Sequence, residues 1–456
     1  MSPSPRTARQ IAFRVIEQWR ETGRFAAPLL DSCFEQQPDL AAADRRLASE
    51  LTYGVIRRRA TLGAVIRPQL KRPRQQVEPQ LWTLLELGAY QLLFLSAESQ
   101  HAAIHETVEL TRWLNRPRWT GFANGVLRSL QRDLTGETAP APAADAVPLA
   151  DGFLRLARPL LPDPSENPSE YVAQAGSLPG WLVRLWSRRI GFEELLRMAA
   201  WFNSPAATWL RINPLRATAD QVTDGLAASG VESTIEAAGC QVRLAGTAHV
   251  PSLPGFIEGW FTVQDPSAMA AARLLDPRPG QSILDLCAAP GTKSTHLAEL
   301  MNNEGSIAAA DSHPGRIERI DESARRLGLA IIDPVLVDST GSDLPAGPFD
   351  GALVDAPCSN TGVLGKRPEA RWRIEQDEPR RLADLQLRLL TQAADRLKPS
   401  GRLVYSTCSI EPIENGELIA RFLVQRPRFT VCEIVDHVPG QPGDGGFQAL
   451  LTRQDQ

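Results

Sequence analysis

The chain is poor in the residues that build metal sites and disulfide scaffolds. Its 456 residues hold six cysteines and six histidines. Cys33, Cys240, Cys287, Cys358, Cys408 and Cys432 form no Cys-x-x-Cys pair, and the histidines do not cluster with them. No structural zinc site, and no metal, is therefore expected. In a reducing compartment these sulfurs are free thiols, and a free thiol can be a nucleophile. Apolar runs of transmembrane length are missing, and the polar N-terminus has no signal-peptide core. The expected address is the cytoplasm, away from membranes. Internal repeats and coiled-coil heptads are also lacking. Glycine is scarce where phosphate-binding loops need it. In the stretch Ile283-Leu-Asp-Leu-Cys-Ala-Ala-Pro-Gly-Thr-Lys-Ser294, Thr292 separates Gly291 from Lys293 and a cysteine stands at 287, which excludes a P-loop. A dinucleotide fingerprint needs three glycines, and only Gly291 is there.

What remains in that stretch reads as a buried strand, a tight loop and the first turn of a helix with Thr292 as N-cap. A strand feeding a helix through small residues makes a cofactor crevice in doubly wound α/β domains. The ligand left over is a nucleoside without a phosphate demand, with S-adenosylmethionine the leading candidate. An ordinary strand-loop-helix without ligand is the plainer alternative.

An apolar content of 43% and a charged content of 22% are ordinary for a globular chain, and the length allows several domains. The net charge of −4 argues against nucleic acid, but its distribution does not. Residues 1–140 carry 19 Lys and Arg against 14 Asp and Glu, and the remainder 30 against 39. Arg57, Arg58, Arg59, Arg67, Lys71, Arg72 and Arg74 occur with no acid between Leu51 and Val77. This run is read as a polyanion footprint, with Arg57, Arg58, Arg59, Lys71, Arg72 and Arg74 as RNA contacts. A merely solvated helix face is the competing reading.

Apolar periodicity predicts five to seven packed helices up to about residue 135, with Ile11, Val15, Ile16 and Trp19 on one stripe and Leu81, Leu84, Leu85 and Leu92 on another. Seven prolines between Pro140 and Pro168 predict a partly extended linker. A small α+β unit follows, ending near Asp265. From there strands and helices alternate, with strands expected at 282–287, 306–311, 334–338, 349–355 and 401–407, and two more near 429–435 and 447–452. Such alternation means a mostly parallel sheet, here seven-stranded and Rossmann-like. The expected organisation is thus multidomain. A helical domain occupies 1–138, a linker 139–172, an α+β substrate subdomain 173–265 and a catalytic α/β domain 266–456.

Asp285, Asp311, Asp338 and Asp355 sit at or just inside the ends of the predicted parallel strands, where ligands of open α/β sheets lie. Asp311 is placed to hold ribose hydroxyls and Asp338 to face an adenine amino group. Any one of them alone reads better as a helix cap or loop carboxylate. Val354-Asp-Ala-Pro-Cys-Ser359 and Tyr405-Ser-Thr-Cys-Ser409 end adjacent strands, so Cys358 and Cys408 are expected at one rim, beside Lys293. One buried cysteine is usually a small hydrophobe. Two at matching strand ends point to thiol chemistry.

Three stretches resemble the motifs of the Nol1/Nop2/Sun family of RNA 5-methylcytosine methyltransferases. They are Asp285-Leu-Cys-Ala-Ala-Pro-Gly-Thr-Lys293, Asp355-Ala-Pro-Cys-Ser-Asn-Thr-Gly362 and Ser406-Thr-Cys-Ser409. Residues 6–135 resemble the RNA-binding NusB fold through Asp44-Arg-Arg-Leu-Ala, Gly54-Val-Ile-Arg-Arg-Arg59, Leu87-Gly-Ala-Tyr-Gln-Leu-Leu-Phe94 and Gly121-Phe-Ala-Asn-Gly-Val-Leu-Arg128. A NusB-like domain joined to such a catalytic domain is similar to the bacterial Sun-type members, which modify a cytosine of 16S ribosomal RNA. The resemblance covers nearly all of the chain outside the proline-rich stretch. It implies S-adenosylmethionine contacts from Cys287, Ala288, Ala289, Pro290, Gly291, Thr292, Lys293, Asp311, Arg316, Asp338 and Asp355. It implies Cys408 as nucleophile, Cys358 as an aid to product release and Asp355 at the edge of the base. The implied partner is 16S ribosomal RNA, free or in a partly assembled small subunit, and the implied state is a monomer. A different RNA cytosine, in tRNA or elsewhere in rRNA, is the nearest alternative. A cofactor-free RNA-binding factor is the alternative from another class. Exocyclic-amine methyltransferases carry Asn/Asp-Pro-Pro-aromatic where this chain has Asp-Ala-Pro-Cys. A DNA cytosine enzyme, whose nucleophile is the Pro-Cys thiol, would leave Cys408 unexplained.

Overall fold

In a computed structural model of the chain, the structure describes residues 5–95, 97–205, 207–236, 240–246, 248–339 and 343–454. The chain divides into two compact units. One runs to Pro205 and takes in Leu364–Arg373; the other holds Ala206–Val363 and Ile374–Gln456.

The first unit opens with seven α-helices: α1 (Ala8–Thr22), α2 (Ala26–Glu35), α3 (Ala42–Arg57), α4 (Arg59–Ile66), α5 (Pro79–Phe94), α6 (Ala97–Trp113) and α7 (Thr120–Asp133). Local chemistry sets the ends of α1. The Thr7 side chain accepts a hydrogen bond from the backbone N–H of Gln10, and Gly23 closes the helix in the left-handed region at φ 66°. Helix α5 is buried continuously from Leu81 to Leu93. A helix apolar on all sides belongs in the middle of a bundle. The stripes of α1, α3 and α7 close on it in one core.

The proline-rich stretch departs from the linker expected of it. Three strands, β1 (Leu134–Ala139), β2 (Ala146–Pro148) and β3 (Phe153–Leu156), form an antiparallel sheet in the order β1-β3-β2. Val147, Leu156, Leu160 and Leu161 join the helical core. Proline is tolerated because Pro148 ends an edge strand, where no ladder N–H is needed. Helices α8 (Pro168–Ala175), α9 (Gly180–Trp186) and α10 (Phe192–Asn203) complete the first unit. The α+β stretch expected to run from 173 to 265 is therefore parted at Pro205, its helices before that point grouped with the bundle.

The returning segment Leu364–Arg373 ends in the short helix α15 (Ala370–Arg373). Arg371, fully buried, donates to the carbonyls of Arg57, Ser177, Phe202 and Leu364 and to Asn203 Oδ1, at 2.8–3.2 Å. A buried guanidinium is tolerable only when well supplied with acceptors; here both terminal nitrogens are bonded, and Nε alone has no partner among the described residues.

The second unit begins with β4 (Trp209–Ile212), α11 (Ala219–Ala228), β5 (Ser233–Glu236), β6 (Gln241–Leu244) and β7 (Phe261–Val263), an antiparallel sheet in the order β5-β6-β4-β7. Then come α12 (Pro266–Leu275), β8 (Ser282–Leu286), α13 (Thr292–Leu300), β9 (Ser306–Asp311), α14 (Pro314–Leu327), β10 (Ile332–Leu336), β11 (Phe349–Asp355), α16 (Glu378–Ala394), β12 (Leu397–Thr407), α17 (Gly416–Gln425), β13 (Phe429–His437) and β14 (Gly446–Arg453). They build the expected seven-stranded sheet, in the order β10-β9-β8-β11-β12-β14-β13. The first five strands are parallel, and β14 runs antiparallel to both β12 and β13.

Arg211 of β4 is 2% exposed and reaches the first turns of α13. It pairs with Glu299 at 2.8 Å and donates to the Thr292 carbonyl at 2.7 Å and to Thr295 Oγ1 at 3.0 Å. Removing one partner of a buried pair strands the other charge. Arg211→Ala should cost about 3–5 kcal/mol in urea unfolding, and an Arg211→Leu/Glu299→Leu double variant should recover most of that. Equal losses in the single and double variants would refute the pairing.

Candidate active site

Reading outward from β8, the strand order reverses: β9 lies on one side and β11 on the other. Such a switch point opens a crevice at the carboxyl ends of the strands, because the two connecting loops leave in opposite directions. The Cys287–Lys293 loop follows β8, and Asp355 ends β11. The register pairs Asp355 with Ser406 of β12, so the residues just beyond, 356–359 and 407–409, emerge at one rim.

Cys358 and Cys408, fifty positions apart in the chain, lie there with their sulfurs 3.2 Å apart. Cys408 also donates toward Asn360 Oδ1 at 3.4 Å, while Asn360 Nδ2 donates to the Cys358 carbonyl at 2.7 Å. Asn360 has φ 60°, a strained setting for a residue with a Cβ, and such strain gathers at functional sites. Hydrogen bonding to Cys408, together with burial, pushes the Cys358 thiol well up, so Cys358 holds its proton. Lys293 Nζ pairs with Asp355 Oδ2 at 2.6 Å. Burial works against the Lys293 charge, but the Asp355 carboxylate outweighs it and holds the ammonium above its ordinary value. Cys408 lies within electrostatic reach of the same ammonium.

The two cysteine loops are stitched together by groups that no motif reading named. Gly362 N–H donates to the Cys408 carbonyl at 2.9 Å, and a Cβ there would lie 2.4 Å from the Gly445 carbonyl oxygen. Only glycine permits that approach. Glu414, fully buried, accepts from both loops. Burial raises its pKa, and its donors oppose the rise. Nothing in the sequence singles out Glu414, six positions beyond Cys408, from the neighbouring carboxylates Glu411 and Glu417.

On the other side of the crevice Asp311 ends β9 and is buried. Its carboxylate accepts from the backbone N–H of Ala289 at 3.2 Å and of His313 at 3.0 Å, tying the β8 loop to the entry of α14. Asp338 lies two residues past β10, where its N–H donates to Asp343 Oδ1. Arg316 is exposed on the first turn of α14. Gly291, not Thr292, occupies the cap of α13, at φ 95°, and Thr292 is the first helical residue. Burial, with Asp311 next, pushes the Cys287 thiol far up, so it is no nucleophile. Ala288 and Ala289 keep the loop small, and carboxylates stand at or just past successive strand ends. These acceptors suit the hydroxyl and amine groups of a nucleoside. Among the described residues, no group of His, Cys, Asp and Glu is placed to hold a metal.

The basic run of the first unit is only in part what its composition promised. Arg58 is 4% exposed, donates to the Pro148 carbonyl at 2.9 Å and stacks on Phe94. Arg59 lies between the Trp19 and Trp372 rings, and Arg57 donates to the Gly365 carbonyl. Arg58 is buried where α3 turns into α4, while Arg57 and Arg59 are half-buried there. Lys71 is exposed, while Arg72 and Arg74 are half-exposed over Phe122 and Trp82. They remain a cationic surface, with exposed Arg67 nearby in sequence.

A doubly wound sheet of this order, with a nucleoside-type crevice at its switch point, defines the S-adenosylmethionine-dependent methyltransferase class. The comparisons with known proteins narrow it. The description "16S rRNA methyltransferase RsmB/F" matches residues 272–451, the NusB family residues 6–132, and an RsmF/B-like ferredoxin-like domain residues 178–250. The probable ribosomal RNA small subunit methyltransferase B of Bacillus subtilis is 34% identical over 93% of this chain and 89% of its own length. The ribosomal RNA small subunit methyltransferase B of Salmonella paratyphi B is 33% identical over 98% of both chains. Among solved structures, PH0851 aligns over 99% of each chain with a TM-score of 0.77 and 25% identity. A methyltransferase homolog protein from Pyrococcus horikoshii aligns over 64% of this chain and all of its own, with a TM-score of 0.56 and 25% identity. The chain belongs to the family of ribosomal RNA small subunit methyltransferase B. No helix among the described residues is long and apolar enough to cross a membrane.

Asp285, fully buried in β8, accepts from Ser294 Oγ at 2.6 Å, and its other oxygen has no partner among the described residues. Burial pushes its carboxyl up to about 7, against the Ser294 hydrogen bond and with help from Asp355. The folded protein thus keeps a proton that the unfolded chain releases near pH 4. Stability should fall as pH rises from about 4 to about 7, by up to ~1.4 kcal/mol per unit, and level off above that. Asp285→Asn should flatten this slope in urea unfolding across that window, and an unchanged slope would show that the carboxyl is ionised throughout.

Proposed function

We propose that this chain methylates carbon 5 of a cytosine in 16S ribosomal RNA through a covalent bond between Cys408 and carbon 6 of the base. The observation carrying this is the 3.2 Å separation of two thiols at one strand rim, beside the Lys293–Asp355 pair. Carbon 5 of cytosine is a poor nucleophile. Thiolate addition at carbon 6 makes it enamine-like, and so able to take a methyl group. Bound S-adenosylmethionine supplies that group as an electrophilic methyl on sulfonium sulfur. Cys287, Ala288, Ala289, Pro290, Gly291, Thr292, Lys293, Asp311, Arg316, Asp338 and Asp355 form its binding loop and strand ends.

Cys408 fits the nucleophile's part because Lys293 stands within electrostatic reach, and a cation there stabilises a thiolate. Cys358, held as a thiol 3.2 Å from Cys408, fits the later part: it protonates the Cys408 sulfur as the bond to carbon 6 breaks, while the carbon 5 proton passes to water. Asp355 lies at the base edge near ring nitrogen 3, where in its protonated form it donates to that nitrogen as the sulfur adds. Extruding a stacked base costs about a few kcal/mol, so an unpaired loop cytosine in free or partly assembled small-subunit RNA is the favoured target.

Cys408→Ala should abolish both methylation, read by bisulfite sequencing of 16S rRNA, and covalent RNA capture. Cys358→Ala should let a protein–RNA adduct accumulate on denaturing gels. Equal, mild losses in both variants with no adduct would defeat these roles. For the RNA surface, replacing Lys71, Arg72 and Arg74 by Gln should weaken rRNA binding and reduce the slope of log affinity against log salt by roughly 2–3. Arg58→Ala should instead lower the melting temperature and leave that slope alone. An unaltered slope in the triple variant would make the surface a bystander.

A further inference from the structure

Four donors converge on the carboxylate of Glu414, a fully buried residue in the turn Pro412–Glu414 between β12 and α17. Oε1 accepts from the Ser359 N–H at 2.9 Å and from Gln386 Nε2 at 3.0 Å. Oε2 accepts from the hydroxyl of Ser359 and from that of Ser409 at 2.6 Å. Ser359 directly follows Cys358, and Ser409 directly follows Cys408. One side chain therefore grips both thiol-bearing loops at the neighbouring residue.

Surrounding bonds tighten the same grip. Gln386 also donates to the Pro357 carbonyl at 2.9 Å, and Tyr405 Oη donates to the Glu414 carbonyl at 2.6 Å. Asn415, the next residue, accepts from Thr407 Oγ1 at 2.7 Å and donates to the Ser409 carbonyl at 2.9 Å. The Cys358 loop is thus fixed at Pro357 and Ser359, and the Cys408 loop at Thr407 and Ser409. A carboxylate with no exposure is costly, and an apolar residue would fill the volume at less cost. A carboxylate does what no apolar residue can: its two oxygens accept from two separate loops at once.

We propose that Glu414 is the positioning residue of the thiol pair, setting the placement of Cys358 and Cys408 by accepting simultaneously from Ser359 and Ser409. Glu414 does not touch the reacting atoms; it acts through the two serines. This inference rests on the covalent reading of the two cysteines. A displacement of about 1 Å in a reacting group costs on the order of 100-fold in rate.

The test uses the full chain with a 16S rRNA transcript carrying 5-fluorocytidine in place of cytidine. With S-adenosylmethionine present, methyl transfer leaves carbon 5 with fluorine in place of the proton that elimination needs, so the enzyme–RNA adduct persists. Rates of adduct formation are measured for wild type, Glu414→Gln and Glu414→Ala, with S-adenosylmethionine affinity by calorimetry on the same samples. Glutamine keeps one accepting oxygen for the Ser359 N–H and Gln386, but its NH2 only donates where the second oxygen accepted from the Ser359 and Ser409 hydroxyls. We expect adduct formation slowed about tenfold by Glu414→Gln and about 100-fold by Glu414→Ala, with cofactor affinity within about threefold of wild type in both. Adduct rates within twofold of wild type would overturn the assignment. So would cofactor affinity falling in step with the rate, the mark of a residue that only supports the fold. Should Glu414→Ala fail to fold, the glutamine variant decides alone. If wild type itself forms no adduct, the covalent reading fails, which is a different result from variants that match an active wild type.

Discussion

Everything at the candidate site depends on the parallel pairing of β11 with β12, Asp355 opposite Ser406. Parallel strands point their carboxyl ends the same way, so chain leaving both of them must exit at one rim. Two short exits, three residues from Asp355 to Cys358 and two from Ser406 to Cys408, then leave the sulfurs 3.2 Å apart. Because β8 is the other neighbour of β11, the Cys287–Lys293 loop opens at that same rim. A one-residue slip in register would carry every side chain of β12 to the opposite face and the cysteine with it.

Pairing alone brings loops near each other without fixing them. That task falls to buried polar groups, which hold geometry because leaving any of them unpaired is expensive. Arg211 with Glu299 secures the helix behind the cofactor loop. Asp311 ties that loop to α14 through two backbone N–H groups. In the first unit, Arg371 and the Arg57–Arg59 run perform the same service. Charge in this protein thus serves architecture as often as it serves ligands. That is why a run read from composition as one cationic patch divides in the fold, with Arg58 buried and Lys71 exposed.

Several elements were legible beforehand because their physical causes are local. The amphipathic stripes of α1 and α5, the strand–helix alternation after Asp265, and the strand-loop-helix at Cys287 each follow from periodicity and turn chemistry over a dozen residues. The proline-rich stretch misled for the opposite reason. Proline forbids helix and central strand locally, yet β2 sits at a sheet edge where that prohibition does not apply, and Val147 and Leu156 found a core supplied by distant helices.

By itself the sequence determined the class of fold and the residue types of the candidate site, because hydrophobic period and motif spacing are properties of neighbours in the chain. It also placed both cysteines at one rim, since strand ends can be read in order. Only the tertiary structure decided which arginines face solvent, that Leu364–Arg373 packs with the first unit, and that Glu414 joins the two thiol loops. Those outcomes depend on which groups lose water together on folding. Desolvation is a property of the assembled interior, and it is written at no single position along the chain.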